Sequence, residues 1–260
     1  MQIFRCIISD WYKTKNNLFR PIIIVIPIIY SLFILWYVSN FKDGDIQIRT
    51  YKFYFEGLSA IIPIFVSIFA GYISLQEENA GNFIRLIMQP VSRITLYISK
   101  ILLFMILTTI CSILSLSTIL IGLKYIFNLS NINLNLFFEG IFYIIINSLI
   151  LYSIHLLISF AYGIGTSIAI GGVGFLTTCI IGLTSIGDNV WKYVPWAWGA
   201  RLCQIPILKL IAPTSKNQIQ KEYLVNEMSI MTLISIACFL LISLIGIVWF
   251  CRWEGRKTYE

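Results

Sequence analysis

Apolar positions run along this chain in six nearly unbroken stretches separated by short polar segments. They cover residues 21–38, 55–75, 96–122, 136–160, 164–186 and 230–250. A hydrocarbon core about 30 Å thick is crossed by roughly 20 helical residues, so each stretch reads as a transmembrane helix. The third and fourth are long enough to tilt or to project beyond the lipid. The fifth is the least sharply bounded, because only Tyr162 and Gly163 separate it from the fourth. The first follows a polar segment of 20 residues, and its flank Ser39-Asn40-Phe41-Lys42 has no small-residue cleavage pattern. It therefore reads as a span and not as a signal peptide.

Composition supports the pattern. Of 260 residues, 58% are hydrophobic and 12% charged, about half the charged share of a soluble domain. That excludes a soluble enzyme, a disordered chain and a compact nucleic-acid-binding domain. The net charge of +7 sits in the short segments between apolar runs, where it answers to lipid headgroups and orientation and not to nucleic acid. With both termini inside, the inner segments hold Arg5, Lys13, Lys15, Arg20, Arg85, Arg93, Lys100, Arg252, Arg256 and Lys257. Five of the remaining basic residues lie in one long outer loop, and long loops weigh little in the positive-inside rule. Both termini are expected in the cytoplasm. The six cysteines form no CxxC pair and suggest neither disulfides nor a metal site.

Four segments do more than connect or span. In 3–13, Ile3, Phe4, Ile7, Ile8 and Trp11 recur at helical spacing, with Arg5, Ser9, Asp10 and Lys13 mostly opposite. Residues 1–20 are therefore expected to hold an amphipathic interfacial helix, either an anchor or a dock for a cytoplasmic partner. The inner segment 76–93 has Glu77 and Glu78 placed as for a helix N-terminus. Phe83, Ile84, Ile87 and Met88 follow as an apolar ridge, and Pro90 closes the helix. Such a ridge wants a groove on another protein, or folds back on its own span ends. The outer segment 187–229 carries Trp191, Tyr193, Pro195, Trp196, Trp198, Arg201, Pro206 and Pro213. Short interfacial or re-entrant helices are expected there, as an aromatic belt or a substrate gate at Trp191, Trp196, Trp198 and Arg201. In the fifth span Gly165 and Ala169, and Ser167 and Gly171, form small-xxx-small pairs, with Gly172 and Gly174 close by. They predict close helix packing, within the chain or with another subunit.

The chain has no GxxxxGK[ST], HExxH or GxSxG. His155 lies mid-span with no carboxylate near it in sequence and reads as a neutral residue bonded to a neighbouring helix. Without a series of acidic or basic residues in the spans, a proton-coupled pump is disfavoured. What remains is a translocator or scaffold, with its energy source on another polypeptide.

The run Glu77-Glu78-Asn79-Ala80-Gly81-Asn82-Phe83, then Pro90-Val91-Ser92-Arg93 and Ser99-Lys100, resembles the first cytoplasmic loop of ABC-2 type exporter permeases. The tail Phe250-Cys251-Arg252-Trp253-Glu254 and the six-span layout resemble the same family. Within it, the loop is most similar to lantibiotic self-protection (immunity) permeases of the MutE/EpiE type. The resemblance implies an all-α polytopic membrane protein of one transmembrane domain, 1–260, in the plasma membrane of a Gram-positive bacterium. It implies no catalytic, cofactor or metal residue on this chain. ATP and Mg would bind a partner ABC ATPase present in two copies, beside a second, different permease. The substrate would be an amphiphilic cationic peptide in the lipid bilayer. Residues 77–88 would be the coupling helix, with Glu77, Glu78, Gly81, Phe83, Ile84, Arg85, Ile87, Met88, Pro90 and Arg93 meeting the ATPase. An exporter for a bacitracin-like peptide or a lipid, and a non-transporting scaffold or maturation protein, stay open as alternatives.

Overall fold

The computed structural model describes residues 2–15, 19–41, 44–211 and 218–256, and among these every regular element is helical. In chain order the α-helices are α1 (Gln2–Lys13), α2 (Phe19–Ser39), α3 (Ile46–Asn79), α4 (Ile84–Ile87) and α5 (Arg93–Tyr125). They continue with α6 (Leu134–Tyr162), α7 (Ile164–Thr177), α8 (Pro195–Leu202), α9 (Ile205–Ile211) and α10 (Gln218–Arg252). A π-turn, Thr178–Gly182, extends α7, and 3-10 turns at Ser185–Gly187 and Trp191–Tyr193 lead to α8.

Six helical segments are long and apolar enough to cross a membrane: α2, α3, α5, α6, α7 with its π-turn, and α10. They coincide with the six apolar stretches. Helix α10 begins about three turns before residue 230, where its span was expected to start, because Gln218–Ser229 contains neither Gly nor Pro to stop it. Pro213 and Lys257 lie outside the described residues.

Local signals fix the boundaries. Asp45 caps α3 by accepting from the amides of Gln47 at 2.8 Å and Ile48 at 3.3 Å. Ser92 and Asn133 cap α5 and α6 in the same way. The very short link between α6 and α7 is made by Gly163, whose φ of +94° suits a residue without a Cβ. Pro27, inside α2, leaves the Ile23 carbonyl without its helical donor. The Cys111 thiol of α5 donates to that carbonyl at 3.5 Å.

Helices α3 and α6 form the centre, α3 packing on α6 and α7, and α6 also on α10 and α8. Helix α2 lies on α5, and α1 lies across α5 at one end of the bundle. Neutral hydroxyls stitch the spans. Ser31 meets Ser115 at 2.7 Å, Ser153 meets Ser243 at 2.7 Å, and Ser74 donates to the Ser159 carbonyl at 2.8 Å. Such bonds hold membrane helices together where lipid supplies no hydrophobic contrast.

Candidate functional site

Helix α3 does not stop at Leu75. Nothing in Gln76–Asn79 breaks a helix, so the helix runs on and ends at Ala80. The chain then turns sharply through three residues of positive φ: Gly81 at +118°, Asn82 at +49° and Phe83 at +67°. The Asn82 amide donates to the Glu78 carbonyl at 2.7 Å and that of Phe83 to Glu77 at 3.2 Å, closing the helix end. A bulky residue at positive φ is unusual and strained. Here the Phe83 ring, 1% exposed, holds the backbone in place by packing against Phe160 and Trp253.

This corrects the expected coupling helix over 77–88. The segment is the tail of α3, a left-handed turn and the four-residue α4. Glu77 and Glu78 stand at a helix C-terminus, where the dipole opposes negative charge, and cations from other elements compensate. Glu77, 3% exposed, accepts from Lys13 of α1 at 2.6 Å and from Lys100 of α5 at 3.0 Å. Asp10 of α1 accepts from the same two lysines, at 3.0 Å from Lys13 and 3.2 Å from Lys100. Lys100 is 1% exposed and completes a closed, charge-neutral set of two acids and two bases joining α1, α3 and α5. Burial pushes the Asp10 carboxyl up, but Lys100 and Lys13 pull harder and hold it below the usual carboxylate range.

The C-terminal tail closes over the same end. Arg256 pairs with Glu78 and lies over the Phe83 ring. The Arg93 guanidinium donates to the carbonyls of Cys251 at 3.0 Å and Trp253 at 2.5 Å, so Arg93 holds the tail. Pro90 is exposed in the connection between α4 and α5.

The apolar ridge is split by this packing. Phe83 and Leu86 face the protein and Ile87 is half-buried, whereas Ile84 at 58% and Met88 at 77% are exposed, with Arg85 between them. Two open grooves flank this strip. One of about 570 Å³ is lined by Lys13, Gln76, Asn79, Arg85 and Gln89. The other, of about 280 Å³, is lined by Arg5, Ser9, Asp10, Pro90 and Val91. The apolar side of helix α1 is divided, Ile7 and Trp11 packing on the bundle. Its acid faces the bundle toward Lys100, and Phe4, Ile8 and Tyr12 form the exposed edge.

At the opposite end the aromatic segment is packed inward. Trp191 and Trp198 are buried, and the Trp198 indole donates to the Lys192 carbonyl at 3.0 Å. Trp196 is half-buried against Gly174. Arg201 donates to the carbonyls of Ile181 at 3.1 Å and Thr184 at 2.6 Å and pairs with Asp188 at 2.8 Å. The three rings therefore form no exposed aromatic surface: Trp191 and Trp198 are buried, and Trp196 is half-buried beside α7. On α7 the small residues divide by face. Gly171 packs on Ser67 and Pro63 of α3, and Gly174 on Trp196. Gly165, Ala169 and Gly172 meet no such neighbour; Gly165 and Gly172 face open space and Ala169 is exposed. His155 Nδ1 lies 3.3 Å from Ser167 Oγ, the expected bond to a neighbouring helix.

Sequence reasoning missed Asp10, Lys13, Lys100 and Arg256 as partners of Glu77 and Glu78. Lys100 carried a usable signal, a lysine set inside the start of an apolar run, which needs a counter-charge if it is buried. The reversal at Gly81–Phe83 hid the rest.

Six apolar crossings with both described chain ends gathered at one end of the bundle define a multi-pass membrane protein. The family model described as ABC-2 family transporter protein matches residues 6–183, more than half of the chain, from within α1 to just past the π-turn. The chain belongs to that family. Its members are transmembrane subunits, not themselves catalytic, and membership implies an ABC ATPase as partner. No curated protein matches the chain.

Proposed function

We propose that the chain is a permease subunit of an exporter that clears lantibiotic-type cationic peptides from the membrane, working with two ATPase copies and a second, different permease. The observation that carries the coupling half of this reading is the exposed strip Ile84, Arg85 and Met88, set between two polar grooves at the end where α1, the turn and the tail meet. Apolar side chains on a short element outside the spans are suited to a groove on a partner. The basic residues Arg5, Lys13 and Arg85 around the strip favour a partner surface with acidic edges. In this reading both termini are cytoplasmic. The apolar edge of α1, Phe4, Ile8 and Tyr12, rests in the inner leaflet. The peptide half rests on the resemblance of the 77–100 segment to self-protection permeases.

The test is peptide balance in a sensitive strain carrying the complete operon. Membrane-bound lantibiotic should fall and intact peptide in the medium should rise correspondingly. The effect should vanish with an ATPase-dead partner and persist when the proton gradient is collapsed with ATP maintained. Recovery of cleaved peptide, or loss of protection on uncoupling alone, overturns the reading. Protection against a bacitracin-like peptide only would move the assignment to another amphiphile.

A further inference from the structure

With Trp191 and Trp198 packed inward, another surface at that end of the bundle brings apolar and charged groups together. A cavity of about 260 Å³ opens between the first half of α3 and α9, walled by Ile48, Tyr51, Phe55, Ile207 and Leu208. Into this apolar wall α3 sets a carboxylate, Glu56, half-buried. A carboxylate offers about four acceptor sites. The polar contact on Glu56 is a long one, from Gln204 Nε2 at 3.4 Å, and it forms no ion pair with any described residue. Tyr51 does not serve it, since its hydroxyl donates to the Cys203 carbonyl at 2.6 Å. Lys52, one turn earlier on α3, is exposed at the rim.

The depth of the cavity adds to the argument. Glu56 and Glu77 lie on one helix about six turns apart, roughly 30 Å at 1.5 Å per residue. That is the thickness of the hydrocarbon core. With Glu77 at one membrane face, Glu56 sits at the other, at the level where an amphiphile's charged groups rest while its apolar parts enter the lipid. The volume falls below the roughly 300 Å³ at which drug-sized sites begin, which suits one or two side chains and not a whole peptide.

We propose that this cavity receives a lysine-type ammonium group of an amphiphilic peptide from the outer leaflet, with Glu56 as its acceptor and the apolar walls taking the adjoining alkyl chain. The proposal deepens the export reading and rests on it for the identity of the substrate. Charge complementarity at a half-buried carboxylate is the recognition element, and Gln204 holds that carboxylate in place until the ammonium replaces its long contact.

The experiment measures binding of a dansyl-labelled amphipathic peptide containing one lysine to the full chain in phosphatidylcholine nanodiscs, with empty discs subtracted. The control peptide carries acetyl-lysine at that position. The lysine form is expected to bind about tenfold more tightly, the effect of a charge-assisted hydrogen bond. Glu56→Gln should abolish the difference. Leu208→Trp, which fills the cavity and keeps the carboxylate, should lower binding of both forms. Lys52→Ala should tighten the lysine peptide, because a like charge leaves the rim. Equal affinity for the two peptides in the wild type overturns the proposal. So does weaker binding in Lys52→Ala together with competition by phosphatidylethanolamine, which would identify a phospholipid headgroup site. Because the assay needs neither ATPase nor transport, its failure leaves the export reading standing. Failure of export with intact binding removes only that reading.

Discussion

Lys100→Met removes one cation from a closed set in which two lysines serve two carboxylates. In the intact set Lys100 lies 3.0 Å from Glu77 and 3.2 Å from Asp10, and all but Lys13 are buried. Breaking a buried ion pair by deleting one partner costs about 3–5 kcal/mol, chiefly because an unpaired charge stays behind. Lys13 remains on both acids, at 2.6 Å and 3.0 Å, and keeps the penalty near the lower end. A loss of about 3 kcal/mol, at about 2–4 °C per kcal/mol for chains near this size, lowers Tm by roughly 6–12 °C. The double variant Lys100→Met with Asp10→Asn leaves Lys13 and Glu77 as a neutral pair. It should recover at least about 1 kcal/mol relative to the sum of the single changes. Thermal unfolding in nanodiscs gives the magnitude. Maleimide labelling of Cys6, buried on the inward face of α1, shows whether α1 has left its seat on α5. A Tm shift below about 2 °C for Lys100→Met, or strict additivity in the double variant, would refute the view that these charges hold α1 to the bundle.

Three further outcomes follow from the geometry. Ile84→Asp with Met88→Asp alters exposed side chains and should abolish ATPase co-purification with Tm unchanged, whereas Phe83→Ala empties a buried ring site and should cost about 3–5 kcal/mol of stability. Gly171→Leu and Gly174→Leu drive a side chain into Ser67 and Trp196 and should lower the Tm of the isolated chain. Gly165→Leu and Gly172→Leu enter open space and should leave it unchanged. Any loss of complex assembly in the second pair, read by size-exclusion chromatography, would place another subunit on that face. Asp10 has its folded pKa below the unfolded value near 4. Its contribution is therefore fully present above that value and lost as pH falls through the folded one. Cys6 labelling, taken at each pH as a ratio to labelling of the denatured chain so that thiolate content cancels, should stay flat from pH 8 to 5 and rise only below about pH 4. A rise at pH 6 would contradict the assignment.

The spans were legible because the bilayer makes a strong and simple demand: about 20 apolar residues with every backbone group paired within the helix. That demand fixes the six crossings without reference to tertiary contacts. The inner segment was harder. Its ridge at Phe83, Ile84, Ile87 and Met88 presupposes one continuous helix. Three positive-φ residues rotate Phe83 onto Phe160 and Trp253 and leave only Ile84 and Met88 outside. Gly81 was visible as a breaker, but left-handed Asn82 and Phe83 depend on a pocket built from α6 and the tail, which no local pattern encodes. In the aromatic segment the short helices were expected, but the ring orientations were hidden for a related reason. Abundance of Trp predicts proximity to headgroups, but the side that each ring takes on α8 is set by packing on α6 and the π-turn. Glu56 drew no attention because a single acid at the edge of an apolar stretch, one turn after Lys52, reads as an ordinary membrane-boundary charge.

Where charge sits in the molecule bears on how it can be driven. Among the described residues the ion pairs lie at the two ends. Asp10, Lys13, Glu77 and Lys100 with Glu78 and Arg256 hold one end, and Asp188 with Arg201, Glu227 with Lys192, and Glu139 with Lys209 hold the other. Between them the spans are joined by hydroxyl pairs and by His155 with Ser167, contacts that carry no net charge. Ion relays need acidic or basic stations through the membrane, and this arrangement supplies helices instead. Helix α3 alone carries both the charged joint and the cavity acid, and it lies at the centre of the bundle against α6 and α7. Its one proline, Pro63, falls between Glu56 and Glu77 and packs beside Gly171 and Gly174, where the missing side chains let α7 approach. A proline removes one helical hydrogen bond and lowers the resistance to bending there. A push on the turn after Asn79 therefore reaches the far membrane face along a single helix with one soft point. With an ABC ATPase implied by the family as partner, the turn at Gly81–Phe83 is the described element through which such a push would enter α3.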